Sequence, residues 1–288
     1  MTLSKCILKQ LQAIDGTAQY SGALPKIKSS TGKVYFVKTG SSKDREQFAG
    51  EAASLKAIDA AAPGIAPRLI SCGDLDDGNP YFISEYMDVA PLSSKAAEIL
   101  GKRLATELHM GKSLKGFGFD IPTYCGITRL QNGWYDTWEN CFAAMLQDLL
   151  WQLRSKGKYE GLCRKADRVL QSAVPKLLGP LVIQPVLLHG DLWSGNASVN
   201  SANGQPFIYD PASYYGHNEA DIARMFGGFP ESFFTSYHEH HAKSEPVEQY
   251  AQRGELYQLF HYLNHTLIFG GHYAASAEQK MDVLLAEP

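Results

Sequence analysis

The sequence predicts an α+β chain in two lobes: a small N-terminal lobe with an antiparallel sheet and one helix, then a larger, mainly helical C-terminal lobe. Three observations carry this. Strand and helix signals alternate through residues 1–89, a Pro91-Leu92-Ser93-Ser94 break follows, and stretches with helical spacing dominate residues 90–288. At 288 residues and 44% hydrophobic, the chain holds enough apolar side chain for two packed units rather than one.

The elements follow in order. Val34-Tyr35-Phe36-Val37-Lys38 is an apolar, strand-like run that ends in a lysine and is closed by a Gly-Ser-Ser break. A helix comes next: Asp44 and Gln47 resemble a capping box, and Phe48, Leu55 and Ile58 fall on one stripe. Glu51 shares that stripe. A carboxylate turned toward a core is costly unless paired, and the nearest plausible partner is Lys38, across a strand-to-helix turn. Either the two pair, or Glu51 sits in water at the stripe's edge while Lys38 snorkels. Ala62-Pro63-Gly64 and Asp76-Asp77-Gly78-Asn79-Pro80 read as loops, and Ile83-Ser84-Glu85-Tyr86-Met87 as the last strand of the small lobe. In the second lobe, Ile99, Arg103, Leu104 and Leu108 give residues 95–110 helical spacing, and residues 134–156 form a second helical stretch.

The most specific chemistry lies at His189-Gly190-Asp191-Leu192-Trp193-Ser194-Gly195-Asn196, followed by Asp210 after Phe207-Ile208-Tyr209. Between them, Ala197–Asn200 and Gln205–Tyr209 flank Ser201-Ala202-Asn203-Gly204, a hairpin signal because Asn and Gly tolerate positive φ. A hairpin there brings Asn196 beside Asp210, so two oxygen ligands converge close to Asp191. That arrangement suits phosphoryl transfer. Asp191 orients an attacking hydroxyl and accepts its proton, while Asn196 and Asp210 hold Mg²⁺.

These residues resemble the fructosamine kinase (ketosamine-3-kinase) family, a branch of the protein-kinase-like fold near the aminoglycoside and choline kinases. The likeness is densest from Leu187 to Gly228 and includes Trp193. It continues through Tyr209-Asp210-Pro211-Ala212-Ser213-Tyr214-Tyr215-Gly216-His217, Glu219-Ala220-Asp221, Met225-Phe226-Gly227-Gly228-Phe229 and Tyr262-Leu263-Asn264-His265. The resemblance implies that ATP and Mg²⁺ are the cofactors and that Asp191 is the catalytic base, with Asn196 and Asp210 on the metal and Lys38 with Glu51 on the phosphates. It further implies that Trp193 belongs to the sugar pocket, with Tyr214 and Tyr215 favouring a sugar. Glu85, Tyr86 and Met87 are read as an adenine-binding hinge, and His189 and Asp221 as scaffolding of the catalytic loop. The implied reaction is phosphorylation of the C3 hydroxyl of a fructosamine or ribulosamine on a small amine, peptide or protein, which promotes deglycation. A kinase of the same fold acting on another small alcohol, and a nucleotide-binding pseudokinase, remain the alternatives.

The sequence departs from the wider kinase pattern. No G-x-G-x-x-G precedes Lys38, although Asp15–Gly22 offers two glycines for a backbone cradle, and no activation segment follows Asp210. Global properties exclude other classes. A net charge of -3 with no long basic run argues against nucleic acid, and no stretch reaches the length that spans a bilayer. The cytoplasm is the expected compartment, and a monomer or weak homodimer the expected state. Five scattered cysteines without a C-x-x-C pair argue against a disulfide framework or structural zinc. His238, His240 and His241 read as a solvated helix end, and His261 with His265 as packed side chains rather than a metal pair.

Overall fold

In the computed structural model, which describes residues 3–223 and 228–286, the first helix α1 (Lys5–Ile14) buries Ile7 and Leu11 against a five-stranded sheet. That sheet contains β1 (Tyr20–Ala23), β2 (Lys26–Ser29), β3 (Val34–Thr39), β4 (Leu69–Asp74) and β5 (Pro80–Glu85). Its order is β1-β2-β3-β5-β4, with every neighbouring pair antiparallel. Side chains alternate across a strand. In β3, Tyr35 and Val37 therefore pack with α1, whereas Phe36 joins the core beneath α2 (Arg45–Ala61). The same alternation delivers Lys38 to the α2 side.

The start of α2 differs from the expected Asp44/Gln47 cap. The Asp44 carboxylate instead accepts from Ser41 N at 2.7 Å and Ser41 Oγ at 2.8 Å, closing a short 3₁₀ turn ahead of the helix. Gln47 is thereby released to donate from Nε2 to Gly126 O at 3.1 Å.

After β6 (Val89–Ala90), the chain forms α3 (Ser94–Thr106), β7 (Thr123–Cys125), β8 (Thr128–Leu130), α4 (Trp138–Ser155) and α5 (Glu160–Leu178). Ser93 caps α3 by accepting from Ala96 N at 3.2 Å, and Thr137 caps α4 by accepting from Asn140 N at 3.2 Å. Those caps fix starts that the apolar spacing alone placed loosely, and residues 108–110 form a separate 3₁₀ turn after α3. Then come β9 (Val186–Leu188), β10 (Ala197–Asn200), β11 (Pro206–Ile208), β12 (Tyr214–Gly216), α6 (Asn218–Asp221), α7 (Glu231–His240), α8 (Tyr250–Phe269) and α9 (His272–Leu285). Leu100, Leu104, Leu146, Leu150, Leu153, Leu256 and Leu263 lie in one apolar cluster that also takes in Phe48, Leu55 and Ile58 of α2. The small sheet's helix thus rests on the helical core.

Two connections position the site. The expected hairpin forms: β10 and β11 pair Ala197 with Ile208, and the ladder extends one step back through Tyr209 N to Asn196 O at 3.0 Å. In its turn only Gly204 takes positive φ, +71°, and its N–H donates to Asn200 O at 2.7 Å. Strand β6, just after the small sheet, adds to the hairpin's other edge through Val199–Ala90 and Asn200–Val89.

A buried ion pair anchors the far side. Arg253 donates from Nε to Glu219 Oε2 at 2.6 Å and from Nη2 to Oε1 at 3.0 Å, with both side chains nearly inaccessible. Ser244 O and Pro246 O accept two further guanidinium donors, each at 2.8 Å. All five cysteines are free thiols, and no helix among the described residues is long and apolar enough to cross a membrane.

Candidate active site

The loop after β9 is held from beneath. Asp221, at the end of α6, accepts from His189 N at 2.6 Å and Gly190 N at 2.9 Å. His109 Nε2 lies 3.2 Å from the same carboxylate, and its Nδ1 lies 2.7 Å from the Tyr237 hydroxyl. Burial pushes the Asp221 carboxyl upward, but hydrogen bonding and charge from His109 outweigh it and hold the group below the ordinary carboxylate value. Asp221 is therefore an anion in the protein interior, spending its charge on backbone. His189 fixes the other side, with Nε2 2.9 Å from Tyr209 O. At Gly190 the chain runs at φ +85°, and a Cβ there would lie 2.1 Å from Ala212 O, so only glycine fits.

Asp191 emerges from this turn half-buried. Asn196 turns back to it: Nδ2 donates to Asp191 O at 2.9 Å and lies 3.4 Å from Asp191 Oδ2. With its nitrogen so engaged, the Asn196 amide presents Oδ1 as its remaining polar atom. Asp210, at φ +55°, follows Tyr209 across the ladder from Asn196, and Asp is among the few side chains that tolerate that backbone region. Lys38 Nζ meets Glu51 Oε2 at 2.9 Å. Burial raises the Glu51 carboxyl above its usual value, Lys38 opposes the rise, and Asp210 adds to it. Glu51 is thus paired and largely buried, not at the stripe's edge in water.

Two cavities meet at these residues. One, of about 320 Å³, is lined by Lys38, Glu51, Asp191, Trp193, Asn196 and Asp210, with Tyr124, Cys125, Asn264, His265 and Phe269 completing its wall. The other, of about 360 Å³, is largely apolar and is lined by Phe36, Leu55, Phe82, Glu85, Tyr86, Met87 and Phe207, again with Glu51 and Asp210. At its edge the Tyr86 N–H is spent on Val34 O at 3.2 Å. The Met87 N–H has no backbone partner among the described residues, which leaves it available to a flat heteroaromatic ring. Pro25, in the β1–β2 turn, also lines this cavity. Of the two glycines expected in a phosphate cradle, Gly22 belongs to that hairpin, whereas Gly16 follows α1.

The donor set suits a hard divalent cation. The Asn196 amide oxygen and the Asp210 carboxylate both line the first cavity and are hard oxygen donors of the kind Mg²⁺ prefers. Trp193 is half-buried and lines the same cavity, its ring covering Gly195, where a Cβ would lie 2.3 Å from the indole.

Tyr214 and Tyr215 do not line either cavity, which corrects their assignment to the acceptor. Pairing of β12 with β9 places Tyr214 inside the helical core, stacked on Trp138 at 6.3 Å, and Tyr215 against Phe119 and Trp134. Burial pushes the Tyr214 phenol well above its ordinary value, as expected of a core hydroxyl. His265 packs against Phe269 and Tyr273, as the sequence suggested, and also lines the first cavity. Sequence reasoning gave Tyr124, Cys125 and Asn264 no place in the cavity, because β7 and α8, where Asn264 Nδ2 donates to Cys125 O at 3.2 Å, meet only in the folded chain. Met225, Phe226 and Gly227 lie outside the described residues.

Tyr124 of the cavity wall also joins an ion pair between α2 and β8. Glu46 of α2 accepts from Arg129 Nε at 2.7 Å and Nη2 at 2.8 Å, and from the Tyr124 hydroxyl at 2.6 Å. These donors hold the Glu46 carboxyl down at about 2.

Residues 10–287 match the fructosamine kinase family. The chain belongs to that family. Among its relatives is the chloroplastic protein-ribulosamine 3-kinase of Arabidopsis thaliana, 38% identical over 253 residues that cover 86% of this chain and 75% of that one. The ketosamine-3-kinase of Mus musculus is 36% identical over 272 residues, 85% and 86% of the two chains. Solved structures agree on the fold. A Thermobifida fusca protein with a provisional fructosamine-3-kinase assignment superposes with a TM-score of 0.80 at 24% identity, covering 99% of each chain. The aminoglycoside phosphotransferase APH(4)-Ia, solved with AMP-PNP and hygromycin B, gives 0.62 at 16% identity over 96% of each chain. The α+β, protein-kinase-like architecture expected from the sequence is the one this family member adopts.

Proposed function

We propose that the protein transfers the γ-phosphoryl group of ATP to the C3 hydroxyl of a ketosamine. The observation that carries this reading is the convergence of Asp191, Asn196, Asp210 and the Lys38–Glu51 pair on one cavity that Trp193 also lines. Family relatives named ketosamine-3-kinase and ribulosamine 3-kinase support the acceptor class. The AMP-PNP complex of the related fold supports the nucleotide.

In this mechanism the apolar cavity edged by Glu85, Tyr86 and Met87 takes the adenine, and Lys38, held by Glu51, meets the phosphates. The small lobe, residues 1–89, carries the nucleotide, and residues 90–288 carry the acceptor. Asn196 and Asp210 would hold Mg²⁺, which when bound neutralises charge on the triphosphate oxygens. The ketose lies against Trp193, whose indole suits the C–H face of a sugar. Asp191 accepts the C3 hydroxyl proton as that oxygen bonds the γ-phosphorus and the bond to the β-phosphate oxygen breaks, releasing ADP. The Asn196 amide fixes the carboxylate, so catalysis is chiefly positioning. A phosphate at C3 sits next to the C2 ketone: enolisation toward C1 makes it allylic to the enaminol, phosphate leaves by elimination, and water hydrolyses the resulting C1 imine, which frees the amine and would give deglycation.

Asp191→Asn tests the assignment. The variant keeps the geometry and loses the proton acceptor, so turnover should fall by at least about 100-fold, the usual scale of general-base catalysis. Calorimetric Mg-ATP affinity should stay near wild type. A variant with wild-type turnover would remove Asp191 as the base.

A further inference from the structure

We propose that Cys125, His261 and Asp191 form an inhibitory zinc site in the wall of the acceptor cavity. His261 Nδ1 lies 4.0 Å from Cys125 Sγ and 4.0 Å from Asp191 Oδ1, and one ligand atom from each residue lies within 4.8 Å of the others. Zinc with one sulfur, one nitrogen and one oxygen ligand sets ligand-to-ligand edges of roughly 3.3–3.6 Å. Closing the triangle therefore needs movements of about an ångström or less, shared among three side chains from β7, the catalytic loop and α8.

The surroundings favour a thiolate complex. Asn264 Nδ2 already points at the sulfur, 3.2 Å from Cys125 Sγ, a donor that stabilises the deprotonated form. Oδ1 of the same amide is buried without a hydrogen-bond partner among the described residues, an acceptor for a zinc-bound water beside the cluster. Burial and the Asp191 charge push the thiol well above its ordinary value, so the sulfur is protonated until the metal arrives. Binding is then balanced as follows: Zn²⁺ takes the sulfur, the thiol proton leaves to solvent, neutral His261 gives its Nδ1 lone pair, and Asp191 gives a carboxylate oxygen. Two anionic ligands cancel the ion's charge. Mg²⁺ is a poor competitor, because it is a hard ion that prefers oxygen.

The cavity provides access, since Cys125 and Asp191 both line it although Cys125 is only 1% exposed. The regular i, i+4 spacing of His261 and His265 is not the grouping that counts. The His265 Nδ1 is taken up by His261 O at 2.9 Å, and the ligand set is assembled from distant segments. The inhibitory consequence rests on Asp191 being the base: an oxygen committed to zinc cannot take the acceptor's proton. Inhibition should therefore compete with the ketosamine and not with ATP.

The test uses the full chain with Co²⁺ as a spectroscopic stand-in, without nucleotide or acceptor. One equivalent should produce a thiolate-to-cobalt charge-transfer band and intense tetrahedral visible bands, with release of one proton. Cys125→Ala should abolish the charge-transfer band, and His261→Gln should weaken cobalt and zinc binding by at least about tenfold. In turnover assays at buffered free zinc, the half-inhibiting concentration should rise by a similar factor in His261→Gln, judged against that variant's own zinc-free rate. A wild-type protein with no sulfur-to-cobalt band would overturn the site. So would zinc inhibition equal in wild type and His261→Gln, which would assign it to chelation by the nucleotide. Because the cobalt spectrum needs no acceptor, it separates failure of the metal site from failure of the ketosamine reading.

Discussion

Replacing Asp221 by asparagine isolates the anion that holds the catalytic loop. Asp221 is 4% exposed, and its two oxygens accept from His189 N at 2.6 Å and Gly190 N at 2.9 Å. Asparagine has the same shape but only one acceptor oxygen. Its amide nitrogen must then face a backbone N–H, donor against donor, where water cannot intervene. A hydrogen bond to a charged acceptor contributes about 1.5–3 kcal/mol, and a buried donor left unpaired costs about 1–3 kcal/mol. The variant should therefore lose roughly 3–5 kcal/mol, a large share of the ~5–15 kcal/mol typical of a folded domain. Urea unfolding followed by far-ultraviolet circular dichroism should show a lower midpoint with an unchanged slope. Turnover should fall as well, since the same two amides set the direction of Asp191, while the Michaelis constant for ATP should change little. A stability change within about 0.5 kcal/mol, the range of ordinary surface substitutions, would refute the role given to Asp221.

Arg253→Met should destabilise by about 3–5 kcal/mol, because it strands the buried Glu219 carboxylate, and adding Glu219→Gln should restore part of that loss. Thermal unfolding of the single and double variants checks it, and additive losses would contradict the pairing. Acid sensitivity should come first from buried histidines. Burial holds His261 at about 4, below its unfolded value of ~6.5, so its contribution is complete above pH ~6.5 and falls away as pH drops toward about 4. That amounts to roughly 3 kcal/mol, and His261→Gln should flatten the stability profile in that window. Glu46, held at about 2, acts lower, its contribution fading only as pH drops below the ordinary glutamate range. Asp210→Asn should weaken Mg-ATP binding in calorimetry while leaving the melting temperature of the free protein nearly unchanged, since the residue is exposed and asparagine tolerates the same positive φ. Equal nucleotide affinity would remove it from the metal set.

Legibility of the sequence followed contact range. Asn196 and Asp210 are joined by a single hairpin, so turn chemistry and strand register were enough to bring them together. Lys38 and Glu51 were readable because a carboxylate on an apolar stripe demands a cation, and Lys38 ends the strand across the turn from that helix. The acceptor wall was not readable: Cys125 and Asn264 touch at 3.2 Å across a separation of 139 residues, a contact that only the packing of β7 against α8 creates. Tyr214 and Tyr215 misled for a related reason. A three-residue strand says that its side chains alternate, but not which surroundings they enter, and both aromatics serve the core around Trp138 and Trp134. The Asp44 cap failed locally, because Ser41 offered the carboxylate two donors one turn earlier. His109 could not have been matched to Asp221, which lies 112 residues away.

The acceptor is the centre of the account, and it is tested most directly by supplying the purified chain with Mg-ATP and a synthetic fructosamine such as deoxymorpholinofructose. ADP release should match acceptor consumed one for one, and phosphorus NMR should show a single phosphomonoester coupled to the proton on C3. Nucleotide consumption with choline or an aminoglycoside but with no fructosamine or ribulosamine, or a phosphate on another hydroxyl, would contradict it.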